Sequence, residues 1–150
     1  MKVIYHSNGN GYPSIIAAAI HTGKLDPLEP PEAEQVEQLP YFDGLSTRDY
    51  GKVIYYGSDS SGNQIYTLCS DHGEEVYQAV TTGYGMSLAD VNDLVFIDCE
   101  EQSNSLIRVG TVLNKSGLSS LGHPVVLKGC NQAFSGLAAL VKETQKTISS

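Results

Sequence analysis

The densest concentration of groups able to do chemistry lies near the start of the chain, in Lys2-Val3-Ile4-Tyr5-His6-Ser7-Asn8-Gly9-Asn10-Gly11-Tyr12-Pro13-Ser14. Ser7, Asn8, Gly9, Asn10, Gly11, Tyr12 and Ser14 make a loop between an apolar strand and the helix predicted by Ile15-Ile16-Ala17-Ala18-Ala19-Ile20-His21. A loop of this kind can aim several backbone N–H groups at one point, and the helix dipole adds positive potential there. The natural guest is an anion, a phosphate or a carboxylate. Asp98, after Leu94-Val95-Phe96-Ile97, joins the candidate set, as do Lys128 and Asn131 around the end of Pro124-Val125-Val126-Leu127. Each follows a run that reads as a strand, and ligands of open α/β sheets sit beyond the carboxyl ends of strands.

Known phosphate chemistries do not fit this loop. A P-loop needs GxxxxGK[ST], and no lysine lies between Ser7 and Ser14. Gly9-Asn10-Gly11 supplies GxG of a dinucleotide fingerprint, but Ser14 replaces its third glycine. A thiol-based phosphatase would carry cysteine at Ser7 and arginine at Pro13. Serine is a weak nucleophile without a base, and His6, adjacent in a strand, faces the opposite side. No catalytic residue is assigned.

Neither a metal nor a cofactor is expected. Cys69, Cys99 and Cys130 lie far apart with no CxxC pair, and read as buried or half-buried free thiols. Asp98-Cys99-Glu100-Glu101 has the oxygen donors for magnesium, yet acidic runs are usually solvated faces. Asp98 either touches a ligand or caps the following turn. His21 suits the C-terminal end of its helix dipole, whereas Asp71-His72 and His123 read as turn residues. Tyr12 and Tyr41 fit base stacking and surface packing equally well.

The elements that would position these groups follow from punctuation and periodicity. Gly23 stops the first helix, and Asp26-Pro27 to Pro31 leads into a short helix over 32–39 that Leu39-Pro40-Tyr41-Phe42-Asp43 closes. Strands over 51–57 and 63–69 flank the turn Ser58-Asp59-Ser60-Ser61-Gly62, a β-hairpin. Helices are predicted over 74–82, 87–91, 104–115 and 131–148, with a buried parallel strand at 94–98 and a last strand at 124–129. Strand–helix units plus one hairpin make an α/β fold, a three-layer α/β/α sandwich with a mostly parallel sheet, in one domain over 1–150.

Composition narrows the partners. A formal net charge of −8, with nine Lys and Arg thinly spread, gives no basic face for a nucleic-acid polymer or an anionic membrane. No apolar run approaches the roughly 18 residues of a membrane span. The chain opens on a strand without a signal-peptide pattern, so a cytoplasmic location is expected. An antiparallel hairpin leaves a sheet edge free to pair, which favours a homodimer.

Tyr5-His6-x-x-Gly9, followed by Ser14-x-x-Ala17-Ala18-Ala19-Ile20-His21-x-Gly23, resembles a small bacterial family known only as a domain of unknown function. Leu39-Pro40-Tyr41-Phe42-Asp43, Asp49 to Ile54, Gly62-Asn63-x-x-Tyr66 and Leu121-Gly122-x-Pro124 to Gly129 fit the same family, so the resemblance covers essentially the whole chain. Its first loop typically reads His-Cys-x-Gly-Gly-x-His-Ser-Ser. Here Ser7 and Tyr12 stand at the Cys and His positions, Pro13 precedes the retained Ser14, and any Cys/His chemistry of the family would be lost with the pocket kept.

The first functional expectation is non-catalytic binding, or sequestration, of a small phosphorylated or nucleotide-like ligand by the Ser7–Ser14 loop, as phage counter-defence proteins do with nucleotide signals. The alternative is a metal-dependent phosphoryl- or nucleotide-transfer enzyme, with Asp98 on the metal and Lys128 on a phosphate. A third class is a homo-oligomeric interaction protein with no small ligand.

Overall fold

A computed structural model describes residues 1–9, 11–42, 49–70 and 93–149. The fold is mixed α/β: among the described residues four strands form one open sheet, with four helices packed with it. β1 (Lys2–Ser7) is central, with β3 (Gln64–Cys69) and β4 (Leu94–Asp98) parallel to it on either side. β2 (Ile54–Ser58) pairs antiparallel with β3, giving the order β2-β3-β1-β4. The expected hairpin is present, with a bulge between Tyr55 and Gly57.

β1 is buried on both faces from Val3 to Ser7, as a central parallel strand must be. Val3 and Tyr5 point into the main core beneath α1 (Tyr12–His21). Ile4 belongs to a second cluster with Leu68, against which Tyr66, Leu94 and Phe96 pack. Every residue of α1 is buried. Its run Ala17-Ala18-Ala19 keeps that helix slim enough to fit against both the sheet and α4 (Ser119–Ser149). α2 (Ala33–Glu37) buries Val36, and α3 (Ser105–Lys115) starts on an Asn104 cap whose Oδ1 accepts from the Ile107 N–H at 3.0 Å.

One element differs from expectation. Residues 124–129 are no strand; they lie inside α4, a single helix of 31 residues. Val125-Val126-Leu127 between proline and glycine imitates a short buried strand, but the burial period is helical. Gly122, Val126, Gly129, Cys130, Ala133, Phe134, Leu137 and Val141 share the inward face. The glycines are needed for close approach to α3. A Cβ on Gly129 would stand 2.8 Å from the Ile107 nitrogen, and one on Gly110 would stand 2.8 Å from the Val126 nitrogen. Pro124 falls in the second turn, where its missing amide deprives only the exposed Ser120 of a partner. The helices expected over 74–82 and 87–91 lie outside the described residues.

Candidate functional site

After β1 the chain turns through Gly9 (φ 62°) and Gly11 (φ 76°) and enters α1. Both glycines occupy the left-handed region that a side chain enters only with strain. The serines close the loop from within. The Ser14 N–H donates to Ser7 Oγ at 3.2 Å, the Ser14 hydroxyl to the Gly11 carbonyl at 2.8 Å, and the Thr67 hydroxyl to Ser14 Oγ at 2.8 Å. All three side chains are buried. The Gly11 N–H bonds the Asn8 carbonyl and the Ile15 N–H bonds the Gly11 carbonyl. These amides hold the loop's own shape rather than converging on an outside point. Asn10 lies outside the described residues.

The Asn8 amide behaves differently. It donates to Glu100 Oε2 at 2.9 Å, so the loop does hold an anion, and the anion is the chain's own carboxylate. A pocket of about 280 Å³ opens beside this bond, between the loop and α3, lined in part by Asn8, Gly9, Tyr12, Glu100, Ser103 and Arg108. Arg108 sits on the first turns of α3 with an exposed side chain, and no described residue forms an ion pair with its guanidinium. Tyr12 forms part of the wall while its ring packs on Phe42 at 5.0 Å and its hydroxyl accepts from Asn114 Nδ2 at 3.4 Å. Packing thus accounts for Tyr12. Tyr41 is half exposed near Tyr56 and adopts φ 65°.

Asp98 ends β4 at the same sheet edge. Its Oδ1 accepts the Glu100 N–H at 2.9 Å, the turn-capping role, and stands 3.5 Å from His6 Nδ1. His6 is buried, stacked on Phe96 at 5.6 Å, and its Nε2 bonds the Ser70 carbonyl at 3.2 Å. Between Asp98 and Glu100, the Cys99 thiol is held well above its ordinary range by burial, with both carboxylates adding to the effect. Cys69 and Cys130 are likewise buried, unbridged thiols, as expected.

Lys128 and Asn131 require correction. Because 124–129 is helical, they do not end a strand at this rim. They lie on α4 and line a separate groove with Pro31, Ala33 and Val36. The strand end expected to set Lys128 beside Asp98 is absent. Sequence reasoning missed Arg108, and no motif marks it. Glu100 was visible only as part of an acidic run, and its reach back to Asn8 depends on the turn that Asp98 caps.

A second polar cluster sits where α1 ends against the hairpin. His21 Nε2 lies 3.2 Å from Asp59 Oδ2, and the Tyr5 hydroxyl is 2.8 Å from His21 Nδ1. A carboxylate only accepts, so the ring hydrogen is on Nε2 and Tyr5 donates to Nδ1. Burial pulls the His21 imidazole below its ordinary pKa against the opposing pull of Asp59. Burial alone would raise Asp59, but hydrogen bonds from the Asn63 side chain and backbone, the Ser61 backbone and His21 outweigh it and hold the carboxyl low. Desolvation raises Tyr5 well above the usual phenol range.

No curated protein and no solved structure matches the chain. No described helix is long and apolar enough to cross a membrane. The model of one family, described as "Protein of unknown function (DUF3189)", does match, and it spans residues 2–146 with the first loop, the sheet, α3 and most of α4 inside it; the chain belongs to that family.

Proposed function

We propose that the protein binds a small anionic ligand, of the phosphorylated or nucleotide-like class, in the pocket between the Asn8–Gly9 turn and α3. The observation that carries this reading is the Asn8 amide. It already holds a carboxylate at 2.9 Å, in a pocket that also contains an arginine without a described ion-pair partner. A ligand oxyanion would displace Glu100 from the amide and draw Arg108 into a bidentate contact. The volume of about 280 Å³ lies at the low end of small-molecule sites, so a phosphoryl group with a small sugar fits better than a whole dinucleotide.

Among the described residues the pocket lining offers no strong nucleophile, and Ser7 is buried and turned into the loop. Retention without turnover is therefore the form the reading takes, and a cytoplasmic sequestering protein, of the kind phages use for counter-defence, is one biological setting for it. Pairing of two copies through the exposed β2 edge belongs to the same proposal, and light scattering that gives a monomer mass at high concentration would refute it.

Calorimetric titration with a panel of nucleotides and sugar phosphates tests the pocket. Arg108→Ala should weaken binding by about tenfold or more, the worth of one charge-assisted contact. Glu100→Gln should tighten it, because the competing carboxylate loses its charge. Absence of binding at millimolar ligand, or affinity indifferent to Arg108→Ala, overturns the reading.

A further inference from the structure

The pocket beside the Asn8 turn has a polar part and an apolar part. Glu100, Ser103 and Arg108 supply the polar groups, and the Asn8 N–H meets Glu100 Oε2 among them. Ile107, Thr111 and Val112, on successive turns of α3, join Pro13 as an apolar wall. The Thr111 hydroxyl donates to the Ile107 carbonyl at 2.7 Å, inside its own helix. Its methyl group therefore faces Gly9, 3.6 Å from where a Cβ on that residue would stand. The Tyr12 hydroxyl is likewise engaged, by Asn114 Nδ2. Val112, 62% exposed, carries the wall out to solvent. An oxyanion uses only the polar part; the wall calls for a flat or apolar group joined to it.

We propose that the occupant is a nucleoside monophosphate, its phosphate between the Asn8 N–H and Arg108 and its base flat against Ile107, Thr111 and Val112. The inference rests on the anion-binding reading above and names its ligand. Arg108 and Val112 are four residues apart on one side of α3. That is about 6 Å along the helix axis, the reach of the single pentose that separates a phosphate from a base. Inorganic phosphate or a sugar phosphate would leave the wall wet, whereas a base covers it.

A base has apolar faces and polar edges. Packing one face on aliphatic side chains gains contact area, and at an exposed lip the edges keep their hydrogen bonds to water. The described side chains of the wall offer those edges no free donor or acceptor, since the Thr111 hydroxyl is already spent. Such a wall accepts every base. Val112 then decides how much the base adds, and Arg108 decides whether the phosphate is held at all.

Calorimetric titration of the whole chain with inorganic phosphate, ribose 5-phosphate and the 5′-monophosphates of adenosine, guanosine, cytidine and uridine tests this assignment. Each mononucleotide should bind at least about tenfold more tightly than ribose 5-phosphate, the worth of one stacked base. The four should agree within about fivefold, less than an edge-reading contact would impose. Val112→Ser, at an exposed position that the fold tolerates, should cut the mononucleotide advantage by about threefold or more and leave ribose 5-phosphate unchanged. Ribose 5-phosphate binding as tightly as the mononucleotides, binding of one base alone, or an advantage indifferent to Val112→Ser overturns this inference and leaves the anion site standing. Failure of every ligand at millimolar concentration removes the anion site itself.

Discussion

Two buried histidines face aspartates toward opposite ends of one sheet, and only one of the two pairs is complete. His21 has both ring nitrogens engaged, by the Tyr5 hydroxyl and Asp59, and Asp59 is itself wrapped by the Ser61 and Asn63 backbones and the Asn63 side chain. His6 has one nitrogen engaged and one empty, and its aspartate is exposed. A saturated buried network fixes one arrangement, here the docking of the hairpin turn onto the end of α1. An unsaturated one at a sheet's carboxyl edge keeps bonding capacity for something else.

Removing a member of the saturated pair is the strongest way to break this contrast. Asp59→Ala deletes the acceptor for two turn amides and strands the buried His21 N–H. It should cost about 2–4 kcal/mol, within the range for breaking a buried pair. Denaturant midpoints measure it, and a loss below about 1 kcal/mol would show the hairpin turn to be held by its backbone alone.

Acid tests the same cluster more gently. His21 is held below its ordinary pKa by burial, so the folded state keeps it neutral where the unfolded chain already binds a proton. Its contribution is therefore complete above the unfolded value of about 6.5 and is lost as pH falls from there toward the lowered native value. One proton limits the slope to about 1.4 kcal/mol per pH unit. Stability of the parent should fall through that window relative to His21→Gln, and parallel curves would assign the acid sensitivity elsewhere. Tyr5→Phe removes one hydrogen bond to His21 without changing the packing, and should cost about 1 kcal/mol in the same measurement.

The two ends also differ in how well they could be read in advance. Ser58-Asp59-Ser60-Ser61-Gly62 announces its turn, and Asp59 accepting from Ser61 and Asn63 is the bonding such a turn residue performs. The strand, loop and helix over 2–21 were equally plain, because apolar runs and paired glycines act locally. What escaped was relational. Lys128 and Asn131 read as a strand end because three consecutive apolar residues have no period of their own, and only the spacing of Gly122, Val126 and Gly129 against α3 decides for a helix. Tyr12 fits two roles in sequence because the ring that covers it, Phe42, lies across the fold. Arg108 became a candidate only when α3 was set beside the Asn8 turn.

The smallest expected effect sharpens the comparison most. Asp98→Asn alters the exposed partner of the unsaturated pair, keeps an oxygen for the Glu100 N–H, and removes no bond from His6. Stability should change by no more than about 0.5 kcal/mol, as for an ordinary surface substitution. Asp59→Asn is the matched control, since the same exchange there puts an amide NH₂ either where Oδ2 accepts from His21 and the Asn63 side chain or where Oδ1 accepts from the Ser61 and Asn63 backbones, and it should be distinctly destabilising. A large loss from Asp98→Asn would mean that the 3.5 Å contact with His6 is a structural ion pair in the resting fold. The carboxylate would then belong to the protein's own architecture, like Asp59, and the difference between the two histidines would be one of degree.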